Sequence, residues 1–309
     1  KLRRPGAGRE RVAMRQGSGK RGRRRPLRFT KMHGLGNDFV VVDLVSQHFH
    51  IDARVIKRLA DRRFGVGCDQ VLLVEPPRDP DMDFRYRIFN GDGQEVEQCG
   101  NGARCIARLV ASRSRRTDRS LRMDSPGGIV LARLRQDGLV SVAMGVPDFR
   151  PESLPLLAPG PAELYEIETP AGPVELAAVS LGNPHAVIRV RSVDDAAVDT
   201  VGPAIENHAR FPHRVNVGFV EVLGPERIRL RVFERGVGET RACGTGACAA
   251  VAVGRRQDVL GEQVSVDMPG GRVTVQWAGP GEQIWLTGPA ETAFEGQVEI
   301  PDQMPGGAA

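Results

Sequence analysis

The chain has 309 residues, which is enough for one large domain or for two ordinary domains with their own hydrophobic cores. Its formal net charge is +5, but residues 1–26 contain eleven Lys or Arg and one acidic residue, so the remainder carries a charge of −5. No apolar run approaches the ~20 residues that a membrane-spanning helix needs, so we expect a soluble protein without a membrane partner.

The basic segment 1–26 is rich in Gly and Arg and has few apolar residues to bury, which predicts a disordered extension. It lacks the apolar stretch of a secretory signal, and its GSGKR lacks the flanking residues of a phosphate-binding P-loop. We expect no nucleic-acid partner, except for non-specific contact of this extension with RNA or another anionic surface. A dispensable extension is the simpler interpretation.

From residue 27 onward, short alternating runs broken by Gly, Pro, Asn and Asp predict half-buried strands. Helical patterns are few: they occupy residues 53–63 and 194–208 and begin near Asn101 and near Thr245. The last two are apolar nearly all round, so each is predicted to be wrapped by a curved sheet. The fold class is therefore α/β (α+β), with a largely antiparallel sheet or barrel around a central helix in each half.

An internal repeat divides the chain. Residues 85–103 and 229–247 agree without a gap at Arg, Phe, Glu, Cys, Gly and Ala positions. Downstream, Asp124-Ser-Pro-Gly-Gly is answered by Asp267-Met-Pro-Gly-Gly, which indicates two copies of one supersecondary unit. We expect an active site in the cleft between two halves. The predicted divisions are an N-terminal half at 27–143, to which a strand at 289–301 returns, a C-terminal half at 144–288, and a tail at 302–309.

The five cysteines are an odd number in a chain without a predicted secretory signal, which favours reduced thiols in a cytoplasm. No CxxC motif occurs, and the six histidines show no metal-ligand spacing. We therefore assign no metal.

Cys99 and Cys243 each precede a Gly-rich turn into a predicted helix. Backbone N–H groups converge there, where they can lower a thiol pKa and hold a carboxylate. Two such thiols on opposite sides of a carbon suit a two-base racemase, in which one removes a proton and the other delivers one. A single cysteine is more often a small buried residue, as we expect for Cys105 and Cys248, but the duplication favours catalysis; Cys68 stays ambiguous.

A competing interpretation is dinucleotide binding. The segment from Gly244 to Ala249 fits GxGxxA, and Asp267 follows at a strand end, as Asp124 does in the first half. However, the Pro-Gly-Gly after each Asp predicts a hairpin rather than a βαβ crossover. A nucleotide or RNA binder is therefore a distant alternative.

Six segments carry a resemblance to a known family: FTKMHGLGNDF (29–39), GVGCDQ (65–70), RIFNGDGQEVEQCGNGARC (87–105), GNPH (182–185), VNVGF (215–219) and ERGVGETRACGTGACA (234–249). Together they resemble bacterial diaminopimelate epimerase. The resemblance implies a cytoplasmic, homodimeric isomerase without pyridoxal phosphate or another cofactor. It would interconvert LL- and meso-2,6-diaminopimelate in lysine and peptidoglycan precursor biosynthesis. Proline and hydroxyproline racemases share the duplicated architecture and are the nearer alternative.

The resemblance also assigns residues. It implies that Cys99 and Cys243 are the catalytic thiols and that His185 and Glu234 tune their pKa values. The implied substrate-binding residues are Asn37, Gln70, Asn90, Gly100, Asn101, Asn183, Asn216, Glu234, Arg235, Gly244 and Thr245. Side-chain amides can bind a zwitterion without adding charge, and Arg235 can bind a carboxylate through two N–H groups.

Some positions leave the interpretation open. Asn37 and Asn183 adjoin Gly or Pro, where ordinary turn chemistry is the alternative. The family usually has Phe where this chain has Cys68, and more often a neutral residue where it has Arg241. Phe294 replaces a Tyr that some members carry at the dimer contact.

Overall fold

The structure, a computed structural model, describes residues 24–96, 99–113 and 120–301. Its first strand begins at Arg24 and pairs with the last strand, so the expectation of disorder was wrong for residues 24–26. This pairing gives the backbone of those residues regular hydrogen-bond partners. Residues 1–23 of the predicted extension and the predicted tail 302–309 lie outside the described residues.

Four α-helices occur in the described part of the chain, and all four predicted helical segments are confirmed. Asp52 caps the first helix by accepting hydrogen bonds from two backbone N–H groups of its first turn. No helix in these residues has both the length and the apolar character that a bilayer span requires. The helices are α1 (Ala53–Ala60), α2 (Gly100–Arg113), α3 (Val198–Glu206) and α4 (Gly244–Arg256).

Eighteen strands are linked through successive pairings in the described residues. In chain order they are β1 (Arg24–Gly34), β2 (Asn37–Asp43), β3 (Gln70–Glu75), β4 (Phe84–Asn90), β5 (Glu95–Val96), β6 (Ser120–Ser125), β7 (Gly128–Leu134), β8 (Val140–Ala143), β9 (Tyr165–Thr169), β10 (Gly172–Ser180), β11 (Pro184–Arg189), β12 (Asn216–Gly224), β13 (Arg227–Glu234), β14 (Gly238–Thr240), β15 (Gln263–Met268), β16 (Gly271–Gln276), β17 (Trp285–Gly288) and β18 (Glu291–Pro301).

The strand pairings repeat from one half to the other. The antiparallel pairs β1–β2, β3–β4, β6–β7 and β7–β8 correspond to β10–β11, β12–β13, β15–β16 and β16–β17. The parallel pair β2–β3 likewise corresponds to β11–β12. The chain therefore folds as two copies of one unit, and β18 returns to pair with β1 of the first.

Each central helix connects two parallel strands. Helix α2 runs between the paired strands β4 and β6, and α4 between β13 and β15. The predicted hairpins after Asp124 and Asp267 are present, but the inference that they exclude a crossover was wrong. A helix is long enough to return the chain to the start of a parallel neighbour, and the hairpin follows afterward. Asp267 itself is bound by Arg227 and Arg272.

A direct strand pair joins the two halves. Strand β8 from the end of the first half pairs antiparallel with β17, placing Val142 opposite Leu286. Just beyond β8, the backbone N–H of Met144 donates to Ile284 across the same joint. The joint therefore carries Met144 and Leu286 into the space between α2 and α4.

The largest hydrophobic cluster contains both central helices and the inner faces of the strands around them. Two outer clusters lie under α1 and α3. The nearly uniform apolar character of α2 and α4 is thus explained by burial on most sides.

We expect Ile106→Ala in α2 to lower the free energy of unfolding by about 2–5 kcal/mol, since it leaves a cavity in a fully buried position. Ile129→Ala is the matched control, because that side chain is 56% exposed. Urea denaturation followed by circular dichroism measures both. Equal stabilities of the two variants would contradict the assignment of α2 to the core.

Candidate active site

Two cysteines stand at the starts of the two central helices. Cys99 immediately precedes α2, and its carbonyl accepts the N–H of Ala103 at 2.9 Å. Cys243 is the N-cap residue of α4, and its carbonyl accepts the N–H of Ala247 at 3.0 Å. Both cysteines line one cavity of about 1020 Å³ to which both halves contribute. The two thiols therefore occupy equivalent places on opposite walls of the cavity.

The glycine after each cysteine lets the helix starts come together. A Cβ added at Gly100 would lie 2.8 Å from Cε of Met144, and one at Gly244 would lie 2.9 Å from Cδ2 of Leu286. Real Cβ atoms essentially never approach so closely. Met144 and Leu286 thus act as a shared spacer between α2 and α4. A side chain at either position would have to displace the end of Met144 or Leu286, whereas the backbone conformation itself does not require glycine there.

Burial has the largest effect on the pKa of both thiols. It raises the pKa of Cys99, while N–H groups at the start of α2 lower it in part. Burial also raises the pKa of Cys243, to which the nearby carboxylate of Glu234 adds. Without a bound substrate, these directions favour the protonated form of each thiol.

The carboxylate of Glu234 is hydrogen-bonded to the thiol of Cys243. Burial raises the pKa of this carboxylate, and hydrogen bonds from Thr240 and Cys243 lower it in part. Its position at the end of β13 corresponds to Asn90 at the end of β4. One half therefore places a carboxylate where the other places an amide, which makes the two walls of the cavity chemically different.

Amide side chains form the wall contributed by the first half. Nε2 of Gln70 donates to Oδ1 of Asn90 at 2.9 Å, and the buried Oε1 of Gln70 has no partner among the described residues. Asn101 donates through Nδ2 to Oδ1 of Asn37 at 3.3 Å, and the sulfur of Cys99 lies 3.8 Å from the same oxygen. These amides offer both donors and acceptors without adding charge of their own.

A hydrogen-bonded series runs through the second half. Nε2 of His185 lies 3.1 Å from Oδ1 of Asn183, whose Nδ2 donates to Oγ1 of Thr245 at 3.4 Å. The same hydroxyl lies 3.5 Å from the sulfur of Cys243. Burial, and then the charge of Arg235, lower the pKa of His185 to about 3, so the imidazole is neutral. Since Oδ1 of Asn183 only accepts, Nε2 of His185 carries the proton.

Asn216 connects two segments beside the cavity. Its Nδ2 donates to the carbonyl of Pro184 at 2.9 Å, and its Oδ1 accepts from the backbone N–H of Arg235 at 3.0 Å. The guanidinium of Arg235 is exposed and donates to the carbonyl of His213. The Asn216 side chain is thus committed to holding the loop that carries Arg235.

The structure brings most of the sequence-predicted site residues into a single cavity. His185, Asn216 and Arg235 contact its wall without lining it, as described above. The buried thiol of Cys68, whose pKa burial raises to about 11, belongs to the outer cluster under α1. The predicted residues that line the cavity are Asn37, Gln70, Asn90, Cys99, Gly100, Asn101, Asn183, Glu234, Cys243, Gly244 and Thr245.

Sequence reasoning missed a charged cluster that lines the cavity beside Asn37. Arg62 donates to the carboxylates of Asp38 and Asp69, and Lys31 also donates to Asp38. Burial opposes ionisation of Asp38, but these cations hold its pKa well below the usual range. Asp69 in turn accepts from Nδ2 of Asn37 at 3.1 Å. The sequence could have indicated this cluster, because Asp38 and Asp69 directly adjoin the predicted site residues Asn37 and Gln70.

Arg104 was also missed, because its position within an apolar helix gave no sign of a contact with the site. Its side chain is fully buried and donates to Oδ1 of Asn101 at 2.8 Å. Within the described ranges, no group of three or more His, Cys, Asp or Glu side chains is arranged to hold a metal ion. The cavity instead combines a pair of thiols, the carboxylate of Glu234, a set of amides and the charged cluster beside Asn37.

Comparison with known sequences identifies the family. The sequence model of diaminopimelate epimerase matches residues 29–150 and 177–293. A curated diaminopimelate epimerase from Pseudomonas paraeruginosa is 56% identical over 274 residues, covering 89% of this chain and 99% of that protein. One from Stutzerimonas stutzeri is 55% identical over the same coverage.

Solved structures with low sequence identity share the fold. A hydroxyproline epimerase from Agrobacterium vitis superposes with a TM-score of 0.67 at 18% identity, covering 92% of this chain and 94% of that one. A probable proline racemase from Agrobacterium radiobacter gives a TM-score of 0.64 at 19% identity, covering 88% and 92%. The sequence match, spanning most of the chain at more than half identity, decides among these relatives: the chain is an isomerase that belongs to the diaminopimelate epimerase family.

Proposed function

We propose that this protein interconverts LL- and meso-2,6-diaminopimelate in the cytoplasm, as a step in the synthesis of lysine and peptidoglycan precursors. The observation that carries the proposal is the pair Cys99 and Cys243, placed at the starts of two equivalent helices on opposite walls of one cavity. The high identity to curated diaminopimelate epimerases supports the choice of substrate.

The proposed reaction uses one cysteine as a thiolate and the other as a thiol. The thiolate takes the proton from the α-carbon, and the C–H electron pair moves into the adjacent carboxylate as an enolate-like charge. The N–H groups at Gly100, Asn101, Gly244 and Thr245 then stabilise this charge at the helix starts. The opposite thiol gives its proton to the other face of the carbon, which inverts the centre and leaves the second sulfur as the thiolate.

A thiolate requires an acceptor for one thiol proton. The carboxylate of Glu234 is hydrogen-bonded to Cys243 and has a raised pKa, so it is suited to take that proton. Neutral His185 supports the same cysteine through Asn183 and Thr245. Both groups would thus tune the thiols without approaching the reacting carbon.

The remaining amides suit a substrate with a second amino-acid end. We assign Asn37, Gln70, Asn90 and Asn183 to the ammonium and carboxylate groups of diaminopimelate, together with Arg235 and Glu234. Asn216 holds the loop that carries Arg235 and acts on the substrate through it. Proline has no distal ammonium or carboxylate, so it would leave several of these polar groups without partners, among them the buried Oε1 of Gln70. Such losses discriminate strongly between substrates.

We expect Cys99→Ala and Cys243→Ala each to abolish the epimerisation of LL-diaminopimelate, because either change removes one of the two proton-transfer groups. Cys105→Ala is the matched control, since that thiol lies in the core of α2 and should leave turnover near the wild-type rate. A coupled assay measures each variant. Near-wild-type turnover by either Cys99→Ala or Cys243→Ala would contradict the two-base assignment.

The same assay with proline and hydroxyproline as substrates distinguishes a diaminopimelate epimerase from a proline or hydroxyproline racemase. Turnover of LL-diaminopimelate without turnover of proline supports the proposal. Turnover of proline alone would replace the proposed function with a proline racemase activity.

We expect the imidazole of His185 to remain neutral from pH 7.5 down to pH 5, because its pKa is lowered to about 3. The folded state opposes its protonation, so this group's contribution to stability is lost as the pH falls from about 6.5 toward 3. Histidine ¹⁵N chemical shifts, assigned with a His185→Gln variant, report the charge. A protonation midpoint near pH 6.5 would contradict the buried neutral role.

We also propose a homodimer, with the face around Phe294 as the contact. This side chain is half exposed and packs edge-on against Phe29 with ring centroids 6.0 Å apart. We expect light scattering after gel filtration to give twice the chain mass, and Phe294→Glu to give the mass of one chain. Wild-type protein with the mass of one chain at micromolar concentration would contradict a stable dimer.

A further inference from the structure

Arg104 is a buried cation without a carboxylate partner among the described residues. Its side chain has no exposed surface, and burial lowers its pKa. Nη2 donates to Oδ1 of Asn101 at 2.8 Å and Nε donates to the carbonyl of Pro289 at 3.3 Å, while Nη1 has no partner in the same residues. An unneutralised buried charge is costly, so its retention calls for a functional reason.

The surrounding backbone makes room for this guanidinium. A Cβ at Gly34, at the end of β1, would lie 3.2 Å from Nη2 of Arg104. One at Gly288, at the end of β17, would lie 3.3 Å from Nε. Two segments distant in sequence therefore lack side chains where they meet the same group, and one of them belongs to the joint between the halves.

The other half has no equivalent cation. In the register of the internal repeat, the position of Arg104 in α2 corresponds to Cys248 in α4. Both side chains are fully buried, and the two are close enough to interact electrostatically. The guanidinium consequently breaks the equivalence of the two halves near their thiols.

Arg104 helps to fix the orientation of two amides. A guanidinium only donates, so Oδ1 of Asn101 faces Arg104, and its Nδ2 donates to Oδ1 of Asn37 at 3.3 Å and to the carbonyl of Ala242 at 3.5 Å. At the far end of this series, the carboxylate of Asp69 only accepts and is bound by Nδ2 of Asn37. Arg104 at one end of the series and Asp69 at the other are both satisfied only when each amide directs its oxygen toward the Arg104 end and its nitrogen toward the Asp69 end. Oδ1 of Asn37 therefore faces the sulfur of Cys99.

We propose that Arg104 is a positioning residue for the two-thiol reaction: it holds Asn101, and through it Asn37, in one orientation, and it provides the buried positive charge beside Cys99. The predicted effect of Arg104 on turnover rests on the proposed function. The charged and titratable groups facing Cys99 are Glu234, which disfavours a thiolate there, Arg104, which favours it, the hydroxyl of Tyr86 and the thiol of Cys105. Arg104 additionally faces Cys105 and Cys248.

The test compares Arg104→Met, which removes the charge and the donors, with Arg104→Lys, which keeps the charge. Arg108→Met is the matched control, because Arg108 lies one turn further along α2 and is exposed. We measure kcat and KM for LL-diaminopimelate. In substrate-free protein, we also measure the pH dependence of iodoacetamide alkylation at Cys99 and Cys243 by mass spectrometry.

For Arg104→Met we expect kcat to fall about tenfold or more with KM changed less than about threefold, because Arg104 does not touch the substrate. We expect the alkylation midpoint of Cys99 to rise by about one pH unit, with a smaller change at Cys243. Arg104→Lys should restore the midpoint of Cys99 but only part of kcat, since lysine lacks the forked donors. Arg108→Met should match the wild type in every measurement.

An unchanged Cys99 midpoint in Arg104→Met would overturn the proposal, and so would a loss of activity that appears only in KM. If Arg104→Met does not fold, Arg104→Lys decides: reduced kcat with an unchanged Cys99 midpoint supports the proposal, and full activity overturns it. Alkylation needs no substrate. Failure of the wild type to turn over diaminopimelate would therefore overturn the proposed function and leave the thiol measurement valid.

Discussion

The active site depends on the contact of two helix starts with the same pair of side chains. Met144 and Leu286 come from the joint between the halves and fill the space beside Gly100 and Gly244, where an added side chain would have to displace them. This contact places both Cys-Gly turns at one cavity, with the N–H groups of both helices directed toward it. The sheets and the outer helices support this arrangement by burying α2 and α4 on most sides.

Duplication supplies two equivalent thiols, whereas one chiral substrate requires walls that differ. Among the corresponding positions that differ near the thiols are Asn90 and Glu234, Asn101 and Thr245, and Arg104 and Cys248. Together they put a carboxylate near Cys243 and a guanidinium near Cys99. The shared backbone thus sets the geometry, and a few substitutions set the polarity of the site.

The sequence predicted the features that depend on local pattern. The four helices, the hairpins after Asp124 and Asp267 and the duplication all followed from periodicity, turn residues and repeated spacing. The duplicated Cys-Gly turns pointed to the two thiols, and the family resemblance pointed to the other predicted residues that line the cavity.

The features that sequence did not predict depend on distant contacts. The parallel pairing across each central helix was missed because a local hairpin signal says nothing about the strand before the helix. Strand β1 begins within the basic segment because β18 pairs with it from the other end of the chain. Arg104 looked like an ordinary helical residue, since its burial results from Gly34 and Gly288, which lie far from it in sequence.

Solvent isotope incorporation shows whether two thiols act from opposite faces of one carbon. LL-diaminopimelate is converted partially in deuterium oxide, and the meso product is analysed by mass spectrometry and NMR. We expect one solvent deuterium in the product, located at the inverted α-carbon and absent from the other. Retention of the original proton at the inverted carbon would contradict this two-base reaction, because a single base would then have carried that proton from one face to the other.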